Sequence, residues 1–235
     1  MLKLVEQDIA GLYVGGTKIK KAYLGETLVF GAGENPPRLP EGYTEVQYIE
    51  LQSATRYDYF IIPKNAMNLG IRVVLDVEPL QVTSGAYIIY SFIGSSANKN
   101  NNMFNVSISS ASAVAAEIKS YYGGGGTTSI DVGNVLNRML IDVDLPNSIL
   151  SVNGESTALT KPRSFSQTNN LWMPRNSSPF FTGRYYGLKI YYSGAENADY
   201  VPAVRQSDNA VGLYDLVSNT FLAQNGSGFT AGPAV

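Results

Sequence analysis

From residue 43 onward, apolar residues recur at every second position in short runs, and glycine, proline or asparagine ends most of them. A period of two is the repeat of a half-buried strand, whereas a surface helix needs apolar residues three and four apart. Ile71, Val73, Leu75 and Val77 form one face of such a run, with Arg72, Val74 and Asp76 on the other and Pro79 at its end. Met139, Ile141, Val143 and Leu145 alternate in the same way with Arg138, Leu140, Asp142 and Asp144, and Ser148–Val152 returns as the second arm of a hairpin through Pro146-Asn147. Asn153-Gly154 then has the composition of a type I′ turn. Phe104, Val106 and Ile108 share a face. Val46 and Tyr48 oppose Glu45, Gln47 and Ile49. Leu171–Met173, Val211–Leu213 and Phe221 add further strand positions. In Arg184–Tyr192 the alternation directs Tyr186, Leu188 and Ile190 to the core and leaves Tyr185, Lys189 and Tyr191 outside. Tyr87–Ile93 is almost continuously apolar, as in a strand buried on both faces. The alanines of Ser112–Tyr121 would suit a helix, but strands on either side favour a strand there. Neither an internal repeat nor a long amphipathic helix is visible. The expected fold is all-β, an antiparallel β-sandwich.

Composition narrows the chemistry. The 235 residues include no cysteine and no histidine. That removes disulfides, thiolate metal sites, Cys-His pairs and Ser-His-Asp triads together. Charged residues make up 15% and hydrophobic residues 44%, enough for a substantial core. The net charge is −2, and Lys18, Lys20 and Lys21 form too small a basic group to bind nucleic acid; they suit a solvated hairpin edge. No apolar run approaches the ~18 residues of a membrane helix, so no membrane insertion is expected. The first residues, MLKLVEQDIAGLYVGG, carry Glu6 and Asp8 and do not read as a secretory signal.

Three segments follow. Residues 1–30 read as a small three-stranded β-meander: Leu12–Val14, a Gly15-Gly16 turn, Thr17–Leu24, a Gly25-Glu26 turn and Thr27–Phe30. So small a unit has little core of its own and is expected to pack on something else. Residues 31–40, GAGENPPRLP, form a Pro/Gly linker. Residues 41–235 are the sandwich.

Two stretches carry a family resemblance. LPEGYTEVQYIELQSATRYDYFIIP, residues 39–63, resembles the opening strands, and DYVPAVRQSDNAVGLYDLVSNTFLAQNGSGFTAGPAV, residues 199–235, the closing strands, of a LamG-like, concanavalin A-like jelly roll found in virion proteins of bacteriophages and prophages. YVGGTKIKKAYLG near the front is similar to stretches that begin many phage structural proteins. The resemblance implies a non-enzymatic virion protein of a tail, fibre or head fibre. It would be made in the host cytoplasm and form a homo-oligomer, for example a trimer. Residues 1–30 would attach it to other virion proteins, and the jelly roll would bind host-surface polysaccharide. A decoration or assembly protein without a specific ligand, and a glycan-degrading enzyme, are the alternatives. Relatives commonly continue the first signature with Ser-Gly-Thr-Gln-Tyr-Ile-Asp-Thr-Gly. Here Ser53–Ile61 reads SATRYDYFI, which keeps a strand and loses the glycines.

Four constellations bear on chemistry. The Glu-x-Asp-x-x-Glu strand of glycosidases in this fold class has no counterpart: the sole Glu-x-Asp is Glu6-Gln7-Asp8, followed by Gly11. Asp142 and Asp144 share one strand face and are candidate calcium ligands, with Asp208 and Asp215 as further acids, though none has the spacing of a calcium loop. A plain polar strand face, with ordinary turn and edge aspartates, accounts for them better. Gly123–Gly126 lacks the Gly-Lys-Ser/Thr ending of a phosphate cradle and reads as a rim loop. Aromatic side chains stack on sugar rings while planar polar groups meet the hydroxyls. Tyr121, Tyr122, Trp172, Tyr185 and Tyr191, with Asn169, Asn170 and Arg175, are therefore the candidate glycan-binding residues; Asn98–Asn102 offers further amides. Tyrosine also suits any half-buried strand. No cofactor is expected.

Overall fold

The computed structural model describes residues 12–14, 17–19, 22–24 and 27–30, and from 38 onward all but 53–57, 63–66, 69, 82–85, 93–102, 109–115, 123–126, 135, 160–165, 168–170 and 175–180. The chain divides into two compact units, Met1–Pro40 and Glu41–Val235. The first contains two separate hairpins. Leu12–Val14 pairs with Thr17–Ile19, and Ala22–Leu24 pairs with Thr27–Phe30. Where a continuous strand Thr17–Leu24 was expected, Thr17–Ile19 and Ala22–Leu24 are separate strands, and among the described residues no pairing joins them.

The second unit is built from two large antiparallel sheets and a two-stranded pairing of Met67–Asn68 with Ser166–Gln167, and no helix occurs among its described residues. The smaller has six strands in the order Thr127–Gly133, Ala116–Tyr122, Met103–Ile108, Tyr87–Phe92, Leu171–Met173 and Phe60–Ile62. The larger runs Glu155–Ala158, Ile149–Val152, Met139–Asp144, Ile71–Pro79, Gly183–Tyr192, Ala195–Arg205, Ala210–Asp215 and Thr220–Ala223. Tyr43–Glu45 pairs with Ala195–Arg205, and Ile49–Leu51 lies between Gly183–Tyr192 and Phe229–Ala231.

The period-two pattern explains the layers. Ile71–Pro79 is alternately buried and half-buried over its whole length. Its apolar face joins one continuous core with Ile141, Val143, Leu188 and Ile190 of the same sheet and with Phe60, Ile62, Ile88, Val106, Ile108, Leu171 and Met173 of the other. Each such side chain contributes about 1.5–3 kcal/mol on burial, so the two inner faces hold the sandwich together.

Two local readings change. Thr44–Glu50 is not one strand, because pairing breaks between Glu45 and Ile49, and Val46 and Ile49 are both buried. In Gly183–Tyr192 a bulge between Tyr185 and Gly187 inserts a residue opposite Val77 and Asp76 of the neighbouring strand. It reverses the alternation on its N-terminal side. Leu188 and Ile190 face the core as expected, but Tyr185 is buried and Tyr186 is not.

The Asn153-Gly154 turn joins Ile149–Val152 to Glu155–Ala158 with both residues at positive φ, 51° and 88°, as a type I′ turn requires. Gly154→Ala is expected to cost about 1 kcal/mol, since a Cβ is disfavoured at that φ although nothing crowds it. A lowered urea midpoint with unchanged m-value checks this.

Candidate functional site

The outer face of the larger sheet is a ladder of charges interleaved with tyrosines. Glu78, Arg184 and Glu50 stand opposite one another on three adjacent strands. Arg184 donates from Nε to Glu50 at 2.5 Å and from Nη1 to Glu78 at 3.1 Å, and the Tyr186 hydroxyl donates to Glu78 at 2.7 Å. The Gln52 amide also donates to Glu50. Arg138 makes a two-pronged pair with Asp76 at 2.8 and 2.7 Å, and its guanidinium lies 3.7 Å from the Tyr186 ring centre. Arg184 covers Tyr48 at 4.7 Å. Each cation thus meets a carboxylate and an aromatic face. The hydrogen bond from Arg184 holds the Glu50 carboxyl below its ordinary range despite its burial.

The acids singled out for calcium belong to this ladder. Asp142 accepts from Arg72 Nε at 2.9 Å and Nη2 at 2.6 Å. Asp144 accepts from the backbone and side-chain amides of Asn147, both at 2.9 Å, with Arg72 3.8 Å away. A guanidinium therefore sits where a metal would have to sit, and the calcium assignment to Asp142 and Asp144 is corrected. Asp208 pairs with Arg205, and Asp215 accepts from the Asp199 and Val217 amides and the Ser218 hydroxyl. Among the described residues, no group of three or more acids could hold a metal ion.

The candidate glycan-binding residues do not form one site. Tyr185 is fully buried; its hydroxyl donates to the carbonyl of Ile88 in the opposite sheet at 3.0 Å, and its ring packs near Phe181 and Phe229. Burial pushes its pKa well up. The bulge turned it inward, so it is a core residue and not a sugar platform. Tyr191 lies on the outer face of the larger sheet under the Arg72 guanidinium, 5.3 Å from its ring centre. Asn169, Asn170, Arg175, Asn98–Asn102 and Gly123–Gly126 lie outside the described residues.

Trp172, Tyr121 and Tyr122 are on the smaller sheet. There the register runs Ile61–Trp172–Tyr90–Asn105–Tyr121–Thr127 across all six strands. Residues directly opposite one another share a face, so Trp172 and Tyr121 fall on one row with Tyr90 and Asn105. The neighbouring register positions Ile89, Val106 and Thr128 are buried. Tyr122 is paired with Phe104, one position off that register line. Tyr90 and Asn105 were not singled out by the sequence reading. Treating Tyr87–Ile93 as buried on both faces hid the position of Tyr90, and only the register connects it to Trp172 and Tyr121.

These two sheets and their shared core define a concanavalin-like jelly roll. A similar solved structure is the native heptameric SAP-like pentraxin from Limulus polyphemus, at a TM-score of 0.50 and 10% identity over 80% of this chain and 96% of the pentraxin chain. At that identity the likeness shows the fold. No family model matches the sequence, and no curated protein matches it.

Proposed function

We propose that this chain is a non-catalytic component of a bacteriophage virion, in a tail, fibre or head fibre, whose jelly roll binds host-surface glycans. The resemblance of residues 39–63 and 199–235 to phage virion jelly rolls supports the setting. One observation carries the binding role: the concanavalin-like jelly roll, in whose smaller sheet the backbone register aligns Trp172, Tyr90, Asn105 and Tyr121 on four adjacent strands. Rings and an amide in line are the groups that recognise sugars. Residues 1–30 serve as the attachment unit in this reading. Assembly into a homo-oligomer, a trimer for example, presents several copies and lets weak sites act together.

The acids argue against hydrolysis. Glycosidases need one carboxyl that stays protonated and a second acting across a cleft. Glu50 and Glu78 both bind Arg184 and Asp76 binds Arg138, each charge already neutralised. The paired ladder on the larger sheet instead favours, as a second reading, a decoration protein that binds no specific ligand.

A multivalent preparation screened on an array of bacterial surface polysaccharides tests the proposal. Binding to at least one polysaccharide is expected. EDTA is expected to leave it unchanged, because the described aspartates are already engaged. Absence of binding across the array overturns the glycan role in favour of decoration.

A further inference from the structure

The chain contains two Asn-Gly pairs, Asn153-Gly154 and Asn225-Gly226, and all four residues are exposed. In an Asn-Gly pair the asparagine side chain is open to attack by its own main chain, because glycine has no Cβ to shield the backbone nitrogen that follows. We propose that Asn225 is a site of spontaneous modification to aspartate and isoaspartate, and that the fold protects Asn153 from the same reaction.

The chemistry needs only water. The Gly226 backbone nitrogen gives its proton to solvent base and adds to the Asn225 Cγ. A new C–N bond forms there, the bond from Cγ to the side-chain nitrogen breaks, and that nitrogen takes a proton from water and leaves as ammonia. Water then opens the five-membered succinimide at one carbonyl or the other, giving aspartate or isoaspartate.

Both pairs have glycine at positive φ, 88° at Gly154 and 76° at Gly226. They differ in what holds the asparagine side chain. Asn153 is clamped to Leu140 at two points: its backbone amide donates to the Leu140 carbonyl at 2.9 Å, and its side-chain Oδ1 accepts from the Leu140 amide at 2.8 Å. Its Cγ swings toward Gly154 only when the second bond breaks, which slows the reaction about fivefold. Asn225 is held through its main chain. Its amide donates to the Tyr59 carbonyl at 2.9 Å, and its carbonyl accepts from the Tyr59 amide at 3.3 Å. Among the described residues, no hydrogen bond engages the Asn225 side chain, so its Cγ reaches Gly226 without breaking one.

The modification falls at a fastening point. Just beyond the Tyr59 bridge, Asp58 accepts from the Ser227 and Gly228 amides at 3.1 and 2.8 Å. Phe229–Ala231 follows and pairs with Ile49–Leu51. Isoaspartate routes the main chain through the side-chain carbon and adds a methylene between the bridge and the Asp58 anchor. Either product also adds a carboxylate two residues before the amides that Asp58 holds, and like charges repel. Conversion therefore loosens the closing strand.

Ageing of the full chain in mildly alkaline buffer, followed by peptide mapping for isoaspartate, tests the proposal. Asn225 is expected to convert about fivefold faster than Asn153. In urea, where the Leu140 clamp is gone, the two should convert at the same rate. Asn225→Gln should remove the fast conversion and leave that of Asn153 unchanged, since the longer side chain closes its ring far more slowly. Amide exchange over residues 227–231 should be faster in the aged protein than in the fresh one. Conversion of Asn153 first, or of both at one rate in the folded chain, overturns the proposal. A difference that persists in urea belongs to the neighbouring sequence and overturns the protective role of the clamp. Unchanged amide exchange after conversion at Asn225 overturns the link to the closing strand.

Discussion

Tyr185→Ala is expected to destabilise the sandwich by about 4 kcal/mol, within the range for emptying a large aromatic from a core. The ring is fully buried between Phe181 and Phe229, and its hydroxyl donates to the Ile88 carbonyl at 3.0 Å. That bond crosses from one sheet to the other, so truncation removes packing and an inter-sheet tie together. Tyr185→Phe keeps the ring and loses only the bond, and should cost about 1 kcal/mol. Urea unfolding of the two variants separates the contributions. If alanine costs less than phenylalanine is expected to, the side chain is not in the core and the bulge has been placed wrongly. Tyr185→Phe should also bind glycan as the parent does, since Tyr185 is buried in the core.

Arg184→Leu should cost about 3 kcal/mol at neutral pH and reverse the sign of a pH dependence. The Glu50 side chain is 8% exposed and its cation partner 30% exposed. Removing one partner of a buried pair typically costs 3–5 kcal/mol, and the partial exposure of Arg184 points to the lower end. In the parent, Arg184 lowers the Glu50 pKa from its ordinary value of 4.5. The folded value is then below the unfolded one. The pair's stabilisation is complete above the unfolded value and is lost as pH falls through the folded value. In Arg184→Leu, burial without a cation pushes the Glu50 carboxyl up. Its folded value then exceeds the unfolded one, and this group's contribution to stability grows as pH falls toward about 4.5. Denaturation midpoints at pH 7, 5.5 and 4.5 should therefore converge for parent and variant. Glu50→Gln in the variant background should abolish the convergence. Midpoints that stay parallel would place the penalty elsewhere.

The sequence was legible where alternation was uninterrupted. Ile71–Pro79 could be assigned face by face because every second residue is apolar and nothing breaks the ladder. Asn153-Gly154 was legible because its turn type demands those residues. Alternation carries phase only until a bulge, and it does not announce one. The extra residue at Tyr186-Gly187 has no clear composition signal apart from the glycine, and it exchanged the environments of Tyr185 and Tyr186. The same limitation divided the candidate site. Strand positions for Trp172 and Tyr121 could be read locally, but they lie some 50 residues apart in the chain and meet on one row only through the register of two intervening strands. Asp142 and Asp144 shared a face as expected. What the sequence could not supply was Arg72 opposite them, since an ion pair between distant strands leaves no periodic trace.

The closing strand has a consequence for how the protein is made. Phe229–Ala231 pairs with Ile49–Leu51, Val46 bridges Ala234, and Val235 donates its amide to the Glu45 carbonyl. During synthesis the first strands of the jelly roll leave the ribosome long before these last partners exist. Ile49–Leu51 therefore waits with both sides unpaired until Gly183–Tyr192 has been made, and with one side unpaired until nearly the whole domain has been translated. So distant a pairing is slow to form, and a waiting edge is open to neighbouring nascent chains. Protein yield should accordingly depend on how crowded the translating ribosomes are, as well as on the stability of the finished fold.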